Sequence, residues 1–210
     1  MKTLYKIIIF LAIFFLSIEM ESLIKGSFLY TFIGLIILIG ASMYAISCYN
    51  DLINKKNHVK SAWSKIDVQL KRRTDLIPNL VEVVKGYAKH EKETFSQVSQ
   101  ARASLMNAQS IEDIQESNSQ LTNGLVNLYA IAENYPELKA NNTFITLQGQ
   151  LEDTENKIAN YREQYNNYVL IYNNSCEQFP NVIVARIFGF NEANFIEALD
   201  EEKAIPKVNF

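Results

Sequence analysis

The chain has 210 residues and a formal charge of -3, with 20 Lys and Arg against 23 Asp and Glu. That length accommodates one ordinary domain plus an anchor, and the lack of a basic excess excludes a general polyanion-binding surface. Seven Gly and four Pro disfavour a turn-rich β architecture, and two cysteines, Cys48 and Cys176, are too few for a disulfide framework.

The first apolar run, Ile7 to Ile18 (IIIFLAIFFLSI), follows Lys2 and Lys6 and so has the positive start and apolar middle of a signal peptide. The residues that follow, IEMESLIKG, contain no A-x-A cleavage pattern. The run is therefore expected to remain, as a short second span with Lys6 snorkelling or as an interfacial helix. Phe28 to Cys48 (FLYTFIGLIILIGASMYAISC) is 21 residues without a charge. At about 1.5 Å per residue it spans roughly 30 Å, the thickness of a hydrocarbon core, which predicts a transmembrane helix. The expected organisation is thus an N-terminal apolar segment and loop over 1–27, a transmembrane helix over 28–48, and a helical domain with a C-terminal tail over 49–210. Setting aside the three lysines and two glutamates before residue 49, that domain keeps 17 Lys and Arg against 21 Asp and Glu, a net of -4. Its acidity argues against nucleic acid as a partner.

Charge also orients the span. The loop between the two runs holds only Lys25, whereas Lys55, Lys56, Lys60 and Lys65 follow the second run closely. The positive-inside bias places 49–210 in the cytoplasm, on the inner membrane. A competing signal is Ala45-Ile46-Ser47-Cys48, which resembles a bacterial lipobox. Lipidation of Cys48 after cleavage would put the domain outside the cytoplasm.

From Val59 onward apolar residues recur at steps of three and four: Val59, Trp63, Ile66, Leu70, Ile77, Leu80, Val84, Ala88, Phe95, Val98 and Leu105. This is the seam of a packed helix. Arg73 and Glu91 occupy seam positions yet are wrong for a core, and Pro78 predicts a kink or restart with Asp75 capping the new start. A second helix is predicted over about 111–133 through Ile111, Ile114, Leu121, Leu125, Leu128 and Ala132, weakened by Gly124 and closed by Tyr135-Pro136. A third opens near Asn142 as N-cap and carries Phe144, Leu147, Leu151, Thr154, Ile158, Tyr161, Tyr165, Tyr168 and Tyr172 on one seam. The fold class is all-α: a long-helix, up-and-down bundle of three to four helices behind an N-terminal transmembrane helix. Coiled-coil association between chains is the other use of such seams. The last stretch loses the heptad, with a short helix expected at 181–188 and then a tail laid against the bundle.

Catalytic signals are sparse. His58 and His90 have no partner at metal-ligand spacing, and His90-Glu91 fails as a zinc-protease helix because Thr94 stands at the fifth position. Nothing nominates a base for Cys176. No cofactor is expected. The polar seam residues carry more information: Arg73 and Glu91 on the first long helix, and Glu155, Arg162 and Asn166 on the third, are candidates for one structural or binding cluster, since buried charges must pair. The four tyrosines at 161, 165, 168 and 172 are expected to bury their rings and send hydroxyls to polar partners.

Two stretches carry a family resemblance. YNDLINKKNHVKSAWSKIDVQLKRRTDLIPNLVEVVKGYAKHEKET, and TENKIANYREQYNNYVLIYN followed by FP, FGF and a terminal PKVNF, closely resemble the LemA family of bacterial membrane proteins. The resemblance covers roughly 49–210. It implies a membrane-anchored helical bundle of bacteria whose molecular function is largely unassigned, and it implies no reaction. Some family members are lipoproteins with Gly-Cys before the Tyr-Asn, which bears on Cys48. The chain departs from the pattern by its extra run at 7–18 and by Thr74, where an aromatic is frequent.

The expected function is a non-enzymatic, membrane-anchored scaffold or adaptor of the envelope, with the bilayer and another protein as partners. The alternative is a module that binds a small ligand or peptide in a polar groove formed by Arg73, Glu91, Arg162 and the tyrosines. A hydrolase using His90 and Glu91 is a third reading.

Overall fold

The computed structural model describes residues 28–196, together with Ile13 and Met20. The rest of the run at 7–18 and the tail beyond Ile196, PKVNF included, lie outside the described residues. Six helices occur among them: α1 (Phe28–Tyr87), α2 (Lys92–Asn107), α3 (Ile111–Asn134), α4 (Pro136–Lys139), α5 (Asn142–Glu177) and α6 (Asn181–Phe188), with no strand. The protein is an all-α bundle. Its described residues divide into two compact units, one holding 28–59 and 168–193, the other 60–167 and 194–196.

In the first unit, α1 is the one helix among the described residues long and apolar enough to cross a membrane. Phe32, Ile36 and Ile37 are exposed, and no residue from Tyr30 to Ser47 is buried. Its uncharged stretch has the length and composition to cross a hydrocarbon core. Protein cover begins where the uncharged run ends, at Cys48 and Leu52, both buried. Just beyond, Lys55 Nζ donates to Asp51 Oδ2 (2.6 Å) and to Ser175 Oγ (2.7 Å). Tyr49 meets the rings of Phe188 and Phe190 edge-on, at centroid distances of 4.9 and 5.6 Å. Helix α6 ends at Gly189 (φ 72°), a left-handed conformation that a side chain resists, and the Phe190 N–H closes the end on the Ala185 carbonyl.

The second unit holds the larger core. Ile66, Leu70, Ile77, Leu80 and Val84 of α1, Phe95, Val98 and Leu105 of α2, Leu121, Leu125 and Leu128 of α3, and Phe144, Leu147, Leu151 and Ile158 of α5 are all buried. Each such side chain contributes about 1.5–3 kcal/mol by leaving water. The seams read from the sequence are the stripes that meet here. Helices α2 and α3 approach closely at Gly124, where an added Cβ would stand 3.2 Å from Val98 Cγ2. The glycine that looks like a helix defect is the place where α3 admits the Val98 side chain.

Three local expectations need correction. Helix α1 runs through Pro78 without a restart, and Asp75 pairs with Lys71 (3.6 Å) instead of capping a new helix. The break falls later, at residues 88–91, so the seam from 59 to 105 belongs to two helices; apolar spacing alone does not register a four-residue interruption. The cap of α5 is Asn141, whose Oδ1 accepts from the Thr143 and Phe144 amides, one residue before the expected Asn142.

Candidate functional site

Arg73 sits on the buried face of α1 between Leu70 and Ile77, and only 2% of it is exposed. Its guanidinium reaches two other helices. Nη1 donates to Asn118 Oδ1 (2.6 Å) and Nη2 to Thr122 Oγ1 (3.0 Å), both on α3. Nη1 also forms an ion pair with Glu155 Oε2 on α5. The Thr122 hydroxyl in turn donates to the Asn118 carbonyl (3.0 Å), which fixes its lone pairs toward the arginine. Burial pushes the Arg73 pKa below its usual value, Glu155 opposes that, and the positive charge of Arg162 adds to it. Arginine stays protonated through shifts of this kind, so the site holds a permanent buried cation neutralised by one carboxylate. Nε has no hydrogen-bond partner among the described residues.

The helix that carries Arg73 is also interrupted chemically at Pro78, whose missing N–H would have bonded the Thr74 carbonyl. Arg102 of α2 takes that place, its Nε donating to the Thr74 oxygen at 2.7 Å. The Thr74 hydroxyl donates to the Lys71 carbonyl (2.8 Å) and the side chain is buried. One stretch of α1 is thus bound to α2 through a freed carbonyl, and to α3 and α5 through Arg73.

The other candidates fall in different places. Glu91 does not join Arg73: it lies beyond the end of α1, before the first turn of α2, with about 21 Å of helix between Arg73 and Tyr87 alone. Asn166 does not join it either. Its amide clamps the segment after α6, Nδ2 donating to the Ile196 carbonyl and Oδ1 accepting the Ile196 N–H, both at 2.9 Å. Arg162 borders a narrow gap with Trp63, Gln115 and Ile158, within electrostatic reach of Arg73. Cys48 is buried in the interior of α1, with helix on both sides. His90 lies exposed in the turn at 88–91, and His58 stacks on Tyr168 at 5.5 Å. Among the described residues no group of three His, Cys, Asp or Glu could hold a metal ion.

The tyrosines differ in their surroundings. Tyr165 and Tyr172 are buried and donate to the carbonyls of Asn194 (2.9 Å) and Asn191 (2.8 Å), while Lys65 lies over the Tyr161 ring. Sequence reasoning missed that Tyr165-Asn166-Asn167 and Tyr172-Asn173-Asn174 are one motif repeated after a heptad. In each copy the tyrosine hydroxyl and the next asparagine hold main chain; Asn173 exchanges two bonds with Ala193, at 3.0 and 2.9 Å. The repeat YNNYVLIYNN was the available signal. Asn173→Ala is expected to lower the unfolding free energy by about 1–2 kcal/mol through two lost bonds, with Asn173→Gln no better because the longer side chain misplaces the amide. Chemical unfolding followed by circular dichroism measures it.

Burial is the first cause of raised acid pKa values at Tyr129, Tyr165, Tyr172 and Cys176. A raised acid holds its proton better folded than unfolded, so these groups stabilise the fold fully below their unfolded pKa. That stabilisation declines as pH rises through the ordinary cysteine value of 9.0 and the ordinary tyrosine value of 10.0 toward the folded values. The thermal unfolding midpoint of the full chain is therefore expected to fall as pH rises through this region. An unchanged midpoint across it would contradict the burial of these groups.

The profile of the LemA family matches residues 62–210. The magnetosome protein MamQ of Magnetospirillum gryphiswaldense is 25% identical over 173 residues, covering 70% of this chain and 64% of its own length. Magnetosome protein MamQ 2 of Paramagnetospirillum magneticum is 25% identical over 175 residues, covering 71% and 64%. Protein LemA of Metamycoplasma hominis is 26% identical over 152 residues, covering 70% and 68%. The matched part spans less than two thirds of either MamQ protein's length.

Proposed function

Since the chain belongs to the LemA family, we propose that it is a non-enzymatic, membrane-anchored scaffold or adaptor of the bacterial envelope. The observation that supports this reading is the use made of Arg73. A cation that looks from the sequence like a ligand-binding or catalytic group has its two terminal nitrogens engaged by Asn118, Thr122 and Glu155. What remains for the cell is the outer surface of the helices, carried on a membrane anchor. The relatives' names state no reaction either. The partner in this reading is another protein that docks on the helices.

Photo-crosslinking from Val68 and Val126, both exposed, in the full chain in its native membrane tests it. Discrete adducts to a protein other than the chain itself are expected, and adducts to lipid alone would defeat the scaffold. The alternative of a ligand module in the polar cluster is separated by the double substitution Arg73→Met/Glu155→Met. A scaffold keeps its crosslinks when that cluster becomes apolar, whereas a ligand site at Arg73 is abolished.

The helical domain faces the cytoplasm in this reading, on the strength of Lys55, Lys56, Lys60 and Lys65 beside the span. A membrane-impermeant thiol reagent distinguishes it from the lipoprotein alternative. Cys176 is a poor reporter because it is buried with its thiol pKa pushed up, so an exposed Val126→Cys is used. Labelling only after cells are opened is expected; labelling of intact cells places the domain outside.

A further inference from the structure

We propose that the turn at residues 178–180 and helix α6 form a second, interfacial attachment to the bilayer beside the transmembrane helix. The inference rests on the reading of Phe28–Cys48 as a span. Phe179, Ile183 and Ile187 follow one another at steps of four, and all are exposed: 82%, 51% and 39%. The opposite side of α6, Val184 and Ala185, is buried, so this eight-residue helix is apolar on both sides. A helix in water has no use for a second apolar face.

The location says what covers that face. The antiparallel course of α5 past α1 brings Tyr168 to His58 and then Ser175 to Lys55, so later residues of α5 meet earlier residues of α1. The chain turns after Glu177 and α6 delivers Phe188 onto Tyr49, the residue next to the uncharged run. Protein cover of α1 starts at Cys48 and nothing from Tyr30 to Ser47 is buried. The turn and α6 therefore sit at the level where the lipid-embedded part of α1 ends. A short helix lying there, with apolar side chains outward and Arg186 able to extend its charge to head-group phosphates, has the composition of an interfacial helix seated ~5–10 Å into the head-group boundary. The occupant is the lipid surface; a docked protein would have to compete for a place already at the bilayer.

Trp63 is the single tryptophan, so Trp63→Phe provides a silent background whose helicity is checked by circular dichroism. In that background the full chain carries one of Ile36→Trp, Phe179→Trp, Ile183→Trp or Leu170→Trp, in vesicles of phosphatidylcholine and phosphatidylglycerol with or without acyl chains brominated near the glycerol end, or near the methyl end for Ile36→Trp. Ile36 is exposed in the middle of the span, and Leu170 is exposed on α5 about 10 Å of helix before its end at Glu177. Bromolipid is expected to quench emission from Ile36→Trp, and also from Phe179→Trp and Ile183→Trp with a blue shift, but not from Leu170→Trp. Full intensity in bromolipid at both Phe179→Trp and Ile183→Trp, with Ile36→Trp quenched, overturns the inference and leaves the span intact. A blue shift without quenching also overturns it, since protein then covers the face. Unquenched Ile36→Trp removes the span and the inference together.

Discussion

Glu155→Ala is expected to lower the unfolding free energy by about 3 kcal/mol, the lower edge of the range for removing one partner of a buried ion pair. The reason is the asymmetry of the pair. Arg73 keeps 3% of its side chain exposed and Glu155 keeps 39%, so the carboxylate stands half in water while the guanidinium does not. Removing the carboxylate strands a cation that cannot shed its proton. Two hydrogen bonds to Asn118 and Thr122 remain, which is why the cost stays near the lower edge. Glu155→Gln is expected to cost less, because an amide oxygen still accepts although the charge is gone. Arg73→Met removes the cation itself and leaves Asn118 the principal buried acceptor without a donor. The double substitution Arg73→Met/Glu155→Met should recover most of the loss of Glu155→Ala, as apolar replacement of buried pairs does elsewhere. Chemical unfolding of the full chain in detergent, compared at constant m, ranks the four. Glu155→Ala within about 0.5 kcal/mol of the parent would mean that Arg73 does not depend on this carboxylate.

How far these contacts were legible in the sequence depends on the kind of signal each residue gives. The span and the seams are statements about period and length, and Leu70, Ile77, Leu80 and Ile158 are buried as their spacing implies. Arg73 stands out because a cation occupies an apolar register, and Glu155 is one of the two acids in the predicted cluster. The other acid, Glu91, was in register only because the spacing continues across a break in the helix. Asn118 and Thr122 gave no warning: polar residues on an amphipathic helix are the rule, and only packing shows which ones turn inward. The asparagines at 166 and 173 were visible as a repeat, but their partners are main-chain groups, and main chain carries no sequence signature. Arg102 had the same difficulty, since what it recognises is a carbonyl freed by a proline on another helix.

That last contact predicts a dependence between two residues on different helices. Arg102→Met is expected to cost about 1.5–3 kcal/mol in the parent chain, because the Thr74 carbonyl loses a charged donor and has no helical N–H to replace it. In a Pro78→Ala background residue 78 supplies that N–H, the ordinary intrahelical bond to Thr74 forms, and Arg102→Met should cost clearly less. Pro78→Ala alone should be stabilising or neutral, by less than the ~3 kcal/mol that proline costs in an ordinary helix interior, since Arg102 already offsets the missing bond. The coupling between the two sites is the quantity that decides. Equal costs for Arg102→Met with Pro78 and with Ala at that position would show that the arginine acts through something other than the freed carbonyl. A positive coupling would mean that the proline in LIPNL does more than tolerate a helix: it leaves open a carbonyl by which α2 is fastened to α1, on the residue next to the arginine that fastens α3 and α5.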